Sequence, residues 1–221
     1  MEHRITILMT EFVTHDVKRF IVKKPETFSF TAGQGVELAI DEKEWREEGR
    51  PFTPTSLASD KVLEFTIKRY PDHKGVTDRL HCLKPGDSLL MSDPFGTISY
   101  KGAGVFIGAG AGITPFLAIF RQLAADKAIA RQALIFSNKT PADVICEKEL
   151  RFYFNSRGHF ICTRESGPGY EKERINRNYL EKILPDTSRY VYVCGPDKFV
   201  EDITAMVKEL GVEAEALVFE E

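Results

Sequence analysis

Two short clusters in this 221-residue chain place chemically useful groups close together. The first, Gly108-Ala-Gly-Ala-Gly-Ile-Thr-Pro115, follows an apolar run at 104–107 and precedes a run at 116–123 with helical spacing. A strand, a glycine turn and a helix N-terminus form an anion site. Backbone N–H groups point outward, and the helix dipole favours negative charge by about 0.3–1 kcal/mol. The loop is therefore expected to hold a nucleotide phosphate. Its spacing departs from G-x-G-x-x-G, whose last glycine would fall on Ile113 or Pro115, and the Gly-Lys-Ser/Thr ending of a P-loop is absent. Taken alone, the stretch also reads as a tight structural turn.

The second cluster, Arg50-Pro-Phe-Thr-Pro-Thr-Ser56, sets a permanent cation, an aromatic face and hydroxyls close together. Arginine binds phosphate in a two-pronged fashion, an aromatic ring stacks on a planar heterocycle, and a hydroxyl donates to a ring nitrogen. Such a set suits a flavin nucleotide. A proline-rich turn with a surface arginine is the alternative.

The elements that must position these clusters change character near residue 100. Residues 4–12, 19–22, 35–40, 61–69, 88–91 and 97–100 read as short strands separated by Gly33, Gly35, Gly86 and Gly96, with one helix at 76–83. That rhythm predicts an antiparallel barrel or sandwich. Beyond Gly102, apolar strands alternate with helices: 105–107 then 115–124, 133–136 then 144–155, 160–163 then 178–184, 190–193 then 196–210, and a last strand at 216–219. This is the pattern of an α/β domain with a parallel sheet, whose ligand lies beyond the carboxyl ends of its strands. The expected division is 1–100 and 101–221. The charged run 41–49 reads as a solvated loop with Trp45 packed locally.

Bulk properties exclude several classes. Hydrophobic residues at 43% and charged ones at 29% describe a globular chain, and a net charge of −3 argues against a general nucleic-acid binder. Cys82, Cys146, Cys162 and Cys194 lie far apart, and the five histidines form no ligand spacing, so no metal and reduced thiols are expected. There is no apolar run near 18 residues, and strand-like sequence begins at Arg4. The expectation is a cytoplasmic monomer that binds no membrane.

With these residues in hand, the chain resembles the ferredoxin–NADP⁺ reductase superfamily, in particular its compact flavodoxin or ferredoxin reductase members without an iron–sulfur domain. Arg50-Pro-Phe-Thr53 is similar to the family's R-x-Y-[ST] flavin motif and Gly75-Val-Thr77 to its G-x-x-[ST] pyrophosphate motif, one residue shorter here. Gly108 to Pro115 is similar to its G-x-G-x-T-P loop and Cys194-Gly195-Pro196 to its C-G-P motif.

The resemblance implies FAD in the first domain and NADPH or NADH as co-substrate in the second. Arg50 then pairs with the FAD pyrophosphate, Phe52 stacks on the flavin, Thr53 hydrogen-bonds near N5, and Ser56 and Lys68 are further binding candidates. Gly75, Val76 and Thr77 face the pyrophosphate, and Tyr70 the ribityl or adenine portion. Gly110, Gly112 and Thr114 cradle the pyridine-nucleotide pyrophosphate, while Cys194, Gly195 and Pro196 border the nicotinamide. Cys194 is equally readable as a buried strand-end thiol.

Residues 28–34 are similar to the strand pair that closes the family's barrel. Phe219 covers the other flavin face or only sits in the last strand, and Glu220 or Glu221 assists protonation. Thr163-Arg164-Glu165 is similar to the family's S-R-E segment. With Lys172 and Arg174 it implies NADPH, or else forms a solvated loop offset by Glu171 and Glu173. Lys68, Arg69, Lys74, Arg79 and Lys84 make residues 68–84 basic, which serves the phosphates, forms a solvated face or docks an acidic flavodoxin or ferredoxin. The implied activity is an NAD(P)H oxidoreductase passing single electrons to such a carrier. The alternatives are an electron-transfer subunit of a larger complex, a flavin-binding module, and a free-flavin or ferric reductase.

Overall fold

The computed structural model describes residues 3–219 other than 97, 166 and 185. Alternation of apolar and polar residues folds the first part into six antiparallel strands: β1 (His3–Phe12), β2 (Val17–Lys23), β3 (Val36–Ile40), β4 (Arg50–Phe52), β5 (Val62–Lys68) and β6 (Ser88–Met91). Their order is β4-β3-β6-β1-β2-β5, a sheet curled into a nearly closed barrel. Inward residues such as Ile5, Ile7, Phe20, Val22, Leu38 and Phe65 fill it. A five-residue helix, α1 (Val76–Leu80), plugs one end with Val76 and Leu80.

Two strand expectations fail here. Residues 28–34 contain no strand; a turn from Gln34 N–H to Thr31 O, with Gly33 at φ +97°, lets Phe28 and Phe30 drop into the barrel core as single anchors. Residues 98–100 are likewise irregular, and Thr97 lies outside the described residues. Ile98 is instead buried against the second domain.

Beyond residue 103, β7 (Gly104–Ala109), β8 (Ala133–Asn138), β9 (Gly158–Cys162), β10 (Tyr190–Cys194) and β11 (Leu217–Phe219) pair in parallel in the order β11-β10-β7-β8-β9. Period-two alternation divides their side chains. Val105, Ile107, Val191 and Val193 pack with α4 (Arg177–Ile183) and α5 (Asp197–Glu209) on one face. Phe106, Phe136 and Tyr192 pack on the other with α2 (Thr114–Ala125) and α3 (Glu147–Phe154). Helix α2 is apolar on nearly every side because it lies between sheet and barrel: Phe116, Ile119 and Phe120 share one cluster with Val17 and Ile98.

Candidate active site

The carboxyl ends of β7 to β10 meet the barrel and enclose a cleft of about 620 Å³. Strand β7 ends in the glycine loop. Gly110 adopts φ +52°, a left-handed geometry that lets the chain turn into a 3₁₀ segment (Gly110–Ile113) ahead of α2. Gly112 has a different reason to be glycine: a Cβ there would lie 2.4 Å from Cys194 O, so the loop touches the end of β10. Thr114 closes the turn by donating to Ala111 O at 2.9 Å.

On the barrel side the cleft is lined by Phe52, Thr53, Thr66, Lys68, Tyr70 and Thr77. Thr53 is buried, yet its hydroxyl and that of Thr77 bond to no described residue. Lys68 Nζ lies 2.8 Å from Asp16. Burial alone would push the Asp16 carboxyl up, but the Lys68 ammonium more than offsets this and holds it below the usual carboxylate range. His15, Asp16 and Asp143 form the one grouping among the described residues that could hold a metal ion. Lys68 already answers Asp16, and Asp143 Oδ2 accepts from Thr140.

Asn138, at the end of β8, carries the clearest ligand signal. The residue is 6% exposed, and neither Nδ2 nor Oδ1 has a partner among the described residues. A buried amide left unanswered costs about 1–3 kcal/mol, so this one fits a group that both donates and accepts, as sugar hydroxyls do. With the glycine loop beside Asn138, and the Phe52 ring and the Thr53 and Thr77 hydroxyls together on the barrel wall opposite, the donor set fits a pyridine nucleotide on one wall and a flavin on the other.

Of the residues expected from sequence, Phe52, Thr53, Lys68, Tyr70, Thr77, Gly110, Gly112, Thr114 and Cys194 to Pro196 come together on the cleft wall. Arg50 is exposed beside Glu48 at 3.3 Å, and Ser56 Oγ accepts from Glu64 N–H at 3.1 Å. Gly75 precedes α1 and Val76 is in the barrel core. Arg164 and Arg174 are exposed and line no part of the cleft. The side chain of Phe219 and the whole of Glu220 and Glu221 lie outside the described residues. Thr66 and Lys139 line the cleft without having been expected there, and Asn138 was expected only as one of the polar residues at the carboxyl end of its strand. For Asn138 the sequence signal was that position alone, since residues 137–138 end a strand of the parallel sheet.

The basic stretch at 68–84 is largely answered by carboxylates. Lys68 pairs with Asp16, Arg69 with Asp78 at 2.7 Å, and Arg79 with Glu42 through two bonds of 3.0 and 2.6 Å. Asp16 and Glu42 come from outside the stretch.

Residues 4–100 match the family model of the oxidoreductase FAD-binding domain, and residues 106–205 that of the oxidoreductase NAD-binding domain. The chain is 30% identical over 214 residues to NADH-cytochrome b5 reductase 2 of Candida glabrata, covering 88% of this chain and 71% of that protein. It is 26% identical over 219 residues to the ferredoxin–NAD(P)⁺ reductase component of the naphthalene 1,2-dioxygenase system of Pseudomonas putida, covering 95% and 66%. Among solved structures, the flavohem-like FAD/NAD binding domain of nitric oxide dioxygenase from Vibrio cholerae O1 biovar El Tor superposes with a TM-score of 0.88 at 19% identity, covering 98% of this chain and 97% of that one. No helix among the described residues is long and apolar enough to cross a membrane.

Proposed function

The chain belongs to the ferredoxin–NADP⁺ reductase superfamily and is an NAD(P)H-dependent FAD oxidoreductase, and on that premise we propose that it delivers electrons singly to a protein carrier of flavodoxin or ferredoxin type. One observation carries the reading: Phe52 and Thr53 face Gly110 to Thr114 and Cys194 to Pro196 across a single cleft. When bound, FAD supplies the conversion between two-electron and one-electron transfer.

The residues divide the remaining work, with the two units separated at 100/101. On the barrel, Phe52 offers a ring to stack, and Thr53 offers a hydroxyl, partnerless among the described residues, to orient N5. Gly75, Val76 and Thr77 present N–H and O–H groups to a pyrophosphate. Arg50 is exposed on an edge strand and free to leave Glu48 for a stronger anion; Ser56, Lys68 and Tyr70 support the same wall.

On the α/β domain, Gly110, Gly112 and Thr114 hold the second pyrophosphate, and Asn138 takes a ribose. The sequence candidates for a 2′-phosphate, Arg164 and Arg174, stand exposed outside the cleft, and Lys139 on its wall takes that role. Cys194, Gly195 and Pro196 border the nicotinamide, with Phe219 and Glu220 as further candidates there. Excluding water between the two walls is the protein's part in keeping hydride transfer efficient.

The likeness to the Candida glabrata enzyme makes a small haem protein the second candidate acceptor. Anaerobic stopped-flow mixing of the holoprotein with NADH and with NADPH should bleach the flavin. A second mix with oxidised flavodoxin, ferredoxin or cytochrome b5 should then restore its colour. Bleaching followed by reoxidation only by free flavin or ferric chelates would sink the carrier reading.

A further inference from the structure

The barrel is an open ring whose end strands are β4 and β5. The loop after β4 bridges the seam: Thr55 N–H donates to Glu64 O at 2.7 Å, and Glu64 N–H donates to Ser56 Oγ at 3.1 Å. Phe52 and Thr53 lie on one side of that seam, Thr66 and Lys68 on the other, so much of the barrel wall of the cleft hangs on it.

One side chain crosses to this seam from the other domain. Arg121, seven residues along α2 from Thr114, donates through Nη1 to Thr55 O at 2.5 Å and to Glu64 Oε1 at 2.6 Å, one acceptor from each side of the seam. Its Nε and Nη2 hold Glu149 of α3 at 2.7 and 2.9 Å. Thr55 Oγ1 donates to the same Glu64 oxygen at 2.7 Å. Thr55 is fully buried and the Arg121 side chain is 16% exposed. Burying an ion pair is a poor way to gain stability, but a planar fork with five donors defines geometry closely.

We infer that Arg121 is a positioning residue for hydride transfer: it ties the glycine loop, at the start of α2, to the Phe52–Thr53 wall and so sets the gap between nicotinamide and flavin. Thr114 and Arg121 are joined by about 10 Å of rigid helix, so a shift at the seam is carried to the glycine loop. Hydride transfer needs the reacting atoms roughly 3–3.5 Å apart, and a misplacement of about 1 Å costs on the order of 100-fold. The inference rests on the reading of the cleft as the hydride-transfer site.

Stopped-flow reduction of FAD-loaded wild type, R121M, R121K and E149Q tests it, with limiting rate, nucleotide Kd, bound FAD and Tm measured on each. R121M should keep its FAD and a Kd within about twofold, while its limiting rate falls at least about tenfold. R121K retains one charged donor for the seam but cannot also hold Glu149, and should recover part of the rate. E149Q removes a charge internal to the α/β domain while leaving an amide oxygen to accept from Arg121; it should lower Tm and slow the limiting rate far less than R121M does.

A folded R121M that is reduced within twofold of the wild-type rate overturns the inference, as does an E149Q slowed equally, because the effect is then general destabilisation. Should R121M fail to fold, E64A, which removes the acceptor altogether, decides: a slower limiting rate at unchanged Kd supports the role, and a wild-type rate refutes it. If the wild type itself is not bleached by either nucleotide, the functional reading has failed, a result distinct from any of these.

Discussion

Lys139 stands on the cleft wall where Arg164 and Arg174 do not, although the pair looked the better cations in the sequence. A charged hydrogen bond to phosphate is worth about 1.5–3 kcal/mol. K139A should therefore raise KM for NADPH about tenfold while changing KM for NADH less than twofold, and R164A should change neither. Steady-state kinetics with both nucleotides decide the point; an NADPH effect confined to R164A would return that role to the exposed loop. Asn138 shows the same limit of residue-level reading. Nothing about an asparagine after a serine announces a binding group, and only its burial without partners reveals one.

The glycine loop is the element whose logic changed most. Its residues point to a phosphate cradle, and Gly110 fits that use with its left-handed backbone. Gly112 is required on other grounds, because a side chain would strike Cys194 O. G112A should destabilise the chain by about 1–3 kcal/mol, as overpacking does, and raise KM for NAD(P)H while FAD binding to the barrel persists. Thermal melts, flavin content and kinetics measured together separate these effects, and a variant as stable and active as wild type would refute the contact. The α/β half is the more legible of the two, since each strand and helix carries its own period. In the barrel, residues 28–34 look strand-like yet serve as an irregular plug, because what decides them is the space left inside the ring.

For the whole molecule, acid should act in two steps. Burial lowers the affinity of His81 for a proton, and Lys18 and Arg69 add to this, outweighing the bond from Ile67 O. Unfolded His81 therefore takes up a proton at higher pH than folded His81, so its contribution to stability is present above about pH 6.5 and is lost as pH falls below that. Burial raises Glu149, but Arg121 and Tyr153 more than offset it, and Lys68 does the same for Asp16. Their contributions hold above the ordinary carboxylate range near pH 4 and are lost below it. Urea unfolding from pH 8 to 3 should show both declines, and H81Q should remove the upper one alone; an unchanged upper decline would assign it elsewhere.

The change near residue 100 from an antiparallel barrel to alternating strands and helices was legible in the sequence, as were two clusters that bring Phe52–Thr53 and Gly110–Thr114 to the cleft, because periodicity and glycine turns are written over neighbouring residues. Only the tertiary structure decided which cations face the cleft, why Gly112 is glycine and how the domains are tied. Arg121 reaches Thr55 and Glu64 across 66 and 57 positions, and no local pattern encodes such a meeting.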